Sequence, residues 1–489
     1  MNLNIKVFLR SLGILMVVMG AAMILPLIVS IIYNETKIVN SFLLTILPVI
    51  IIGFLICLKI APSQSRLNVR DGFLIVSIWW IAASTISAIP FMISNTIPNF
   101  FDAFFECASG LSTTGASILT EIESLPKGIL FWRSFTHWLG GMGILVFAVA
   151  LLPSLGIGAN ILASAEAPGP TMDKITPKIS DTAKNLYEMY TILTLAEIVL
   201  LMFAGMDLFD ATTHSFATVG TGGFSTYNTS IAHFNSFTIE MIITIFMILS
   251  GVNFNLYFYT FRKRGGIKNL IADEEFRFYL LIIIVITSLM TINLFFSNVY
   301  NSIGDSARYS FFQTVSILTT TGFATADYDI WPTFSKMLIF LLMFIGGCSA
   351  STGGGIKVIR VLVVLKLIKR GIQVKLHPNA IISIKINDKK LSIDTVSAIA
   401  NFVFLHILVV AACTLLISLN GYDILTGFSA VLTCMGNIGP GFNLVGPTMN
   451  FSIFSEPIKF LLSLLMLAGR LELYTFIMLF VPQFWQQDK

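Results

Sequence analysis

At 489 residues the chain is long enough for several water-soluble domains, but 55% of it is hydrophobic, only 11% is charged, and the mean hydropathy is +0.85. Those proportions exclude an ordinary soluble assembly and indicate one body immersed in lipid. The formal net charge is +4, and no nucleic-acid partner is expected.

Crossing a hydrocarbon core takes about 20 residues of helix. Apolar runs of that order recur near 8–33, 41–62, 71–94, 129–152, 187–209, 237–261, 277–297, 334–368, 396–419 and 457–482. The fold class expected is therefore all-α integral membrane and multi-pass. The first run opens with Lys6 and Arg10 and has no small-residue cleavage site, so it reads as a retained span, and no soluble domain is expected. With both termini cytoplasmic, Lys37, Lys127, Arg133, Arg308, Lys336 and Lys459 fall outside and Arg470 falls in mid-span. Every other Lys and Arg lies inside, as the positive-inside rule requires. Acidic residues gather on the outer face, among them Asp102, Glu106, Glu121, Glu123, Asp207, Asp210, Asp305, Asp327, Asp329 and Asp423. A negative vestibule concentrates cations, although solvated loops have the same composition.

Between alternate runs one pattern occurs four times: Asp102-AFFECASGLSTTGAS, Asp210-ATTHSFATVGTGGFS, Tyr309-SFFQTVSILTTTGFA and Thr426-GFSAVLTCMGNIGPGF, each beginning 13 residues before a glycine. Each copy reads as a short helix, a Thr/Gly-rich stretch and a polar exit, set between two spans. Irregular backbone survives at membrane depth only where protein or a water-filled cavity satisfies it, so the four copies are expected to converge on one axis. The candidate site residues are Thr113, Thr114 and Gly115; Thr221, Gly222 and Gly223; Thr320, Thr321 and Gly322; and Asn437, Ile438 and Gly439. Glycine permits backbone angles that a Cβ forbids, and rings of carbonyl oxygens can replace the hydration shell of a large monovalent cation.

Five cysteines, Cys57, Cys107, Cys348, Cys413 and Cys434, are scattered and odd in number. They indicate neither a disulfide framework nor a zinc site, and His137 and His214 read as polar groups satisfied inside the bundle. The eighth run is interrupted by Gly346-Gly347-Cys348-Ser349-Ala350-Ser351-Thr352-Gly353-Gly354-Gly355. It lacks the G-x-x-x-x-G-K-[ST] spacing and a preceding strand, so no nucleotide site is expected in this chain. Arg470 sits near the centre of the last run, where a basic residue costs about 2.5 to 3.5 kcal/mol. Glu472 is a candidate partner, although two residues apart on a helix they face different ways.

At these residues the sequence resembles the Trk-type potassium uptake family, and the likeness covers essentially the whole chain. Besides the four glycine turns, it includes Trp132-Arg133-Ser134-Phe135-Thr136-His137-Trp138-Leu139-Gly140-Gly141-Met142-Gly143, Ala165-Glu166-Ala167-Pro168-Gly169-Pro170 and Lys174-Ile175-Thr176-Pro177. The resemblance implies K⁺ as the transported ion, the twelve turn residues as its filter and a pseudo-fourfold pore. It also implies a homodimer in the bacterial inner membrane and a cytosolic, nucleotide-binding regulatory subunit. Within it, the Gly346–Gly355 stretch is the gate: Gly346, Gly347, Gly353, Gly354 and Gly355 free it to move, and Arg470 forms a barrier below the filter. Gly115, where some relatives carry Ser and admit Na⁺, implies K⁺ preference; Asn437, Ile438 and Pro440 depart from the other copies and imply looser selectivity. The units expected are 1–66, a two-helix extension, then pore units 67–153, 154–264, 265–370 and 371–489. The basic stretch Lys366-Leu367-Ile368-Lys369-Arg370, continuing to Lys390, offers a surface to a partner protein or to anionic membrane lipid.

A transporter coupling K⁺ or Na⁺ to H⁺, as in symport, is the competing reading, with Glu197 and Glu472 as its acidic candidates. An enzyme is not expected, since no nucleophile, metal cluster or paired acids stand at membrane depth.

Overall fold

The computed structural model describes residues 5–60, 69–143, 179–261 and 266–486, and the motifs at 165–170 and 174–177 lie outside them. The described chain is helical apart from loops and a two-residue hairpin pairing Lys385–Ile386 with Lys389–Lys390. Six helical stretches are long and apolar enough to cross a membrane: Ile5–Ile32, Thr36–Lys59, Arg70–Ile93, Lys184–Phe203, Glu274–Phe296 and Ile393–Ser418. Their outward faces carry rows of exposed large apolar residues, such as Leu44, Leu47, Ile51, Phe54, Leu55 and Leu58 on Thr36–Lys59. Water does not tolerate so extended an apolar surface on a soluble protein; lipid does.

The remaining four apolar runs are not continuous helices. Helix stops at Gly141 in Lys127–Gly141, at Gly251 in Phe237–Gly251, at Leu342 in Thr333–Leu342 and at Arg470 in Glu456–Arg470. The sequence reading expected an interruption only in the third of these, at 346–355; there the break is wider, since helix resumes only at Val358. The glycines at the stops pack tightly against the short helices. A Cβ on Gly140 would overlap the Leu111 carbonyl oxygen, one on Gly251 would stand 2.9 Å from the Thr319 methyl, and one on Gly469 would overlap the Met435 carbonyl oxygen.

Four short helices, Phe100–Leu111, Leu208–Val219, Ile303–Leu318 and Ile424–Gly436, precede the four glycine turns. Each starts at a side-chain cap that accepts from a backbone N–H two or three residues on: Asn99, Asp207, Ser302 and Asp423. Such a cap is worth about 1 kcal/mol. The first two long stretches cross where Gly13, on Ile5–Ala22, meets Gly53, on Thr36–Lys59, a Cβ on Gly13 standing 2.9 Å from the Gly53 oxygen. Arg10 then caps the end of Thr36–Lys59, donating to the carbonyls of Cys57 (3.2 Å) and Ile60.

Candidate functional site

All four short helices end in the same way. The residue two before the glycine is left-handed, with φ of +57° at Thr113, +54° at Thr221, +59° at Thr320 and +55° at Asn437. Its N–H reaches back three residues, to Gly110 (3.1 Å), Thr218 (3.0 Å), Ile317 (3.1 Å) and Cys434 (3.3 Å). The next N–H reaches back five, from Thr114 to Ser109 (2.9 Å), Gly222 to Ala217 (2.8 Å), Thr321 to Ser316 (2.9 Å) and Ile438 to Thr433 (2.9 Å). This is the Schellman termination, and it satisfies carbonyls that a helix end would otherwise leave orphaned. A β-branched residue in that conformation costs about 1 to 3 kcal/mol. Threonine carries that strain at three turns, while Asn437 suits the angle best.

The turns then meet in a ring. With φ of +82°, +78°, +81° and +96°, Gly115, Gly223, Gly322 and Gly439 are themselves left-handed. A Cβ on Gly115 would collide with the carbonyl oxygen of Gly222, one on Gly223 with that of Thr321, and one on Gly322 with that of Ile438. One on Gly439 would stand 2.7 Å from that of Thr114, which closes the circuit. Four carbonyl oxygens thus take the space that four side chains would occupy. Asn437 adds a stitch across the junction of fourth and first turns, donating to Thr114 Oγ1 (3.0 Å) and to the Met466 carbonyl (2.9 Å). At backbone level the fourth turn, expected to depart from the others, matches them.

Behind the ring, buried polar side chains pin the exit strands, a role the sequence reading assigned to none of them. Nine residues before their glycines stand Glu106, His214 and Gln313. Glu106 accepts from Ser117 Oγ (3.0 Å), the Ile118 N–H (3.0 Å) and Arg133 Nε (2.6 Å). His214 Nε2 meets Ser225 Oγ at 2.9 Å, and Gln313 Nε2 reaches Thr325 Oγ1 at 3.4 Å. In the fourth copy Ser429 Oγ accepts from the Phe442 N–H at 3.0 Å. Arg133 couples the first two exits, donating to the Ser225 carbonyl at 2.9 Å with its guanidinium 3.6 Å from the Phe224 ring centre. His137 does the same at the turns: its Nε2 accepts from the Phe224 N–H (3.2 Å), so Nδ1 carries the proton donated to the Gly110 carbonyl (2.7 Å). Both histidines are buried and satisfied, as expected. The signal available in sequence was the spacing of these polar residues within the repeat.

The acidic outer face needs correcting. Glu106 and Arg133 are 0% and 3% exposed and form an internal ion pair. Asp102 pairs with Lys459 at 2.6 Å, and Asp207 and Asp423 cap helices. Much of the negative charge attributed to an open vestibule holds the structure together. A mouth of about 220 Å³ nonetheless opens at the ring, lined by Gly115, Gly223, Gly322, Gly439, Arg133 and Asn228 among others.

Beneath the ring lies the 346–355 stretch. The Gly354 N–H donates to Thr320 Oγ1 at 2.8 Å, and a Cβ on Gly353 would be 2.9 Å from the Thr319 carbonyl oxygen. A Cβ on Gly346 would overlap the Gly354 oxygen, and one on Gly347 would stand 2.8 Å from Ser351 Oγ. Gly355 has φ of +70°. The stretch is anchored from several sides: Cys348 N–H to the Gly251 carbonyl (2.8 Å), and Ser349 N–H and Oγ to Glu275 (2.6 Å each). Arg470 donates to the carbonyls of Thr352 (2.5 Å), Gly140 (2.6 Å) and Gly141 (2.6 Å). It is the last residue of its helix rather than the middle of a span, so the helix dipole favours its charge. Glu472 does not partner it in the described contacts; its carboxylate pairs with Arg360 at 2.6 Å. Lys366 of the basic stretch is likewise engaged, bonding Glu274 at 2.8 Å and the Lys385 carbonyl at 2.7 Å.

The fold and the ring define a helical membrane protein with polar backbone gathered at its centre. A sequence model described as "TrkH: Cation transport protein" matches residues 38–487, and the chain belongs to the TrkH family. It is 40% identical over 488 residues to "Trk system potassium uptake protein TrkH" of Escherichia coli (strain K12), covering 99% of this chain and 100% of that protein. With "Trk system potassium uptake protein TrkG" of the same strain it shares 38% identity over 485 residues, covering 99% of each. The solved structure of the potassium transporter TrkH from Vibrio parahaemolyticus superposes with a TM-score of 0.89 at 37% identity, covering 99% of this chain and 100% of that one.

Proposed function

We propose that the chain takes up K⁺ across the bacterial cytoplasmic membrane through the ring of four glycine turns, with both termini cytoplasmic. The observation that carries this reading is the cyclic contact of each glycine with its neighbour's carbonyl oxygen, a cage of fixed dipoles without a carboxylate. The filter residues are Thr113 to Gly115, Thr221 to Gly223, Thr320 to Gly322 and Asn437 to Gly439, in pore units 67–153, 154–264, 265–370 and 371–489. Gly346 to Gly355 and Arg470 form the gate directly below. Relatives named as parts of a Trk system support a membrane component of a multi-subunit system; a homodimer working with a cytosolic, nucleotide-binding regulatory subunit belongs to the same proposal.

Uptake of ⁸⁶Rb⁺ into liposomes holding the purified chain tests this. K⁺ competes strongly and Na⁺ weakly; equal competition by Na⁺ overturns the filter assignment. In the same assay Gly115→Ser narrows the K⁺ over Na⁺ preference about tenfold, equivalent to about 1.4 kcal/mol. The physical reason is that the serine Cβ displaces the Gly222 carbonyl and distorts the cage at the first junction. An unaltered ratio removes Gly115 from the filter. Proton coupling has one discriminating residue, Glu197, which is fully buried beside Thr218, whose hydroxyl is spent on the His214 carbonyl at 2.8 Å. Glu197→Gln leaves a simple K⁺ pathway working at every external pH; loss of uptake together with its pH dependence favours symport instead.

A further inference from the structure

The glycine-rich stretch ends in a lysine that neither the filter nor the arginine barrier explains. Lys357 is 2% exposed, and its backbone is left-handed, with φ of +40°. Its ammonium donates to the carbonyl oxygen of Gly353, four residues back in the same loop. That oxygen is next in the chain to the Thr352 oxygen held by Arg470 at 2.5 Å. Gly354, the following residue, is bonded to Thr320 Oγ1 at 2.8 Å, which places both carbonyls immediately under the third turn.

Two successive backbone oxygens at the inner end of the ring are thus each met by a tethered cation. The carboxylates nearby are otherwise engaged. Glu472 pairs with Arg360 at 2.6 Å, and Glu275 accepts from the Ser349 N–H, the Ser349 hydroxyl and the Ile359 N–H. Among the described residues Lys357 forms no ion pair. A structural lysine at this depth would be expected to seek a carboxylate, because burying a charge is expensive unless it is paired. A backbone carbonyl is instead the ligand type that K⁺ itself uses, and an ammonium group matches K⁺ in charge and closely in size.

We propose that the Lys357 ammonium stands where a K⁺ leaving the ring would next be coordinated, on the Gly353 carbonyl, and that conduction requires it to withdraw. Lys357 is in this account a tethered competitor of the transported ion, and the loop is closed because its own carbonyl is already occupied. The inference rests on the reading of the 346–355 loop and Arg470 as a gate, and it adds a residue to that gate with a distinct role: Arg470 clamps the loop to Gly140 and Gly141, while Lys357 fills the ion position.

The test is ⁸⁶Rb⁺ influx into liposomes holding the purified full chain, for wild type, K357M, K357Q, K357R and R470A. K357M removes charge and hydrogen bond, K357Q keeps a donor without the charge, and K357R keeps the charge. Influx rises about tenfold in K357M and K357Q, and K357R returns it to within about twofold of wild type. Wild-type influx in monodisperse K357Q overturns the proposal, as does an equal rise in K357R, which would make the lysine a packing residue. A rise in K357M with none in K357Q overturns it too, by assigning the effect to the hydrogen bond. Should K357M fail to fold, K357Q decides. If R470A raises influx and K357Q does not, only the Lys357 assignment fails; if neither does, the gate reading fails with it.

Discussion

Gly223→Ala abolishes cation uptake in protein that still inserts and runs as a monodisperse species. The position combines two constraints: a φ of +78°, where a Cβ costs about 1 to 2 kcal/mol, and a neighbouring Thr321 carbonyl in the space that Cβ would fill. Overpacking of this kind adds about 1 to 3 kcal/mol. The sum, applied to one carbonyl of the ring, corresponds to a loss of two to three decades in rate, at about 1.4 kcal/mol per decade. The protein can relieve the strain only by moving the third turn, which changes the cage. Gly205 is the control, left-handed at φ of +102° with nothing within 4 Å of a Cβ. Gly205→Ala keeps uptake within about twofold of wild type, because it pays backbone strain alone. Equal loss in both variants would mean that strain, and not the ring, explains the effect.

Arg470→Ala raises uptake. For a separation on the order of 8 Å, a unit charge opposes a passing cation by about 2 kcal/mol at an effective dielectric of about 20, and removing it corresponds to roughly thirtyfold in flux. The same substitution frees the Thr352, Gly140 and Gly141 carbonyls from their common donor. Arg470→Lys separates the two contributions, because an ammonium keeps the charge but not the planar fork that reaches three carbonyls. Low flux in the lysine variant assigns the barrier to charge; flux matching the alanine variant assigns it to the clamp. Unchanged flux in both, with normal amounts of protein in the membrane, removes Arg470 from the gate.

The ring was legible because it is written four times: one short helix ending in a glycine turn is common, whereas four in register between long apolar runs are not. The fourth copy departs in sequence but not in backbone: the left-handed position is the one asparagine tolerates best and threonine poorly, so Asn437 is the relaxed member and Thr113, Thr221 and Thr320 are the strained ones. The stops at Gly141, Gly251 and Arg470 were hidden because hydropathy measures composition along the chain, while these helices end against partners distant in sequence. The Gly251 carbonyl, for example, accepts from Cys348. Sorting charges by side assigned Glu106 and Arg133 to an outer surface for the same reason: their burial and pairing depend on how the first two turns stack.

The central claim is that K⁺ is held by the four turns themselves. Anomalous diffraction from crystals of the protein grown with Rb⁺ or Tl⁺ in place of K⁺ locates the ion without reference to transport rates. The account predicts density on the axis enclosed by Gly115, Gly223, Gly322 and Gly439, lost in Gly223→Ala crystals. Density confined to other parts of the molecule, or retained on the axis in Gly223→Ala, would contradict it.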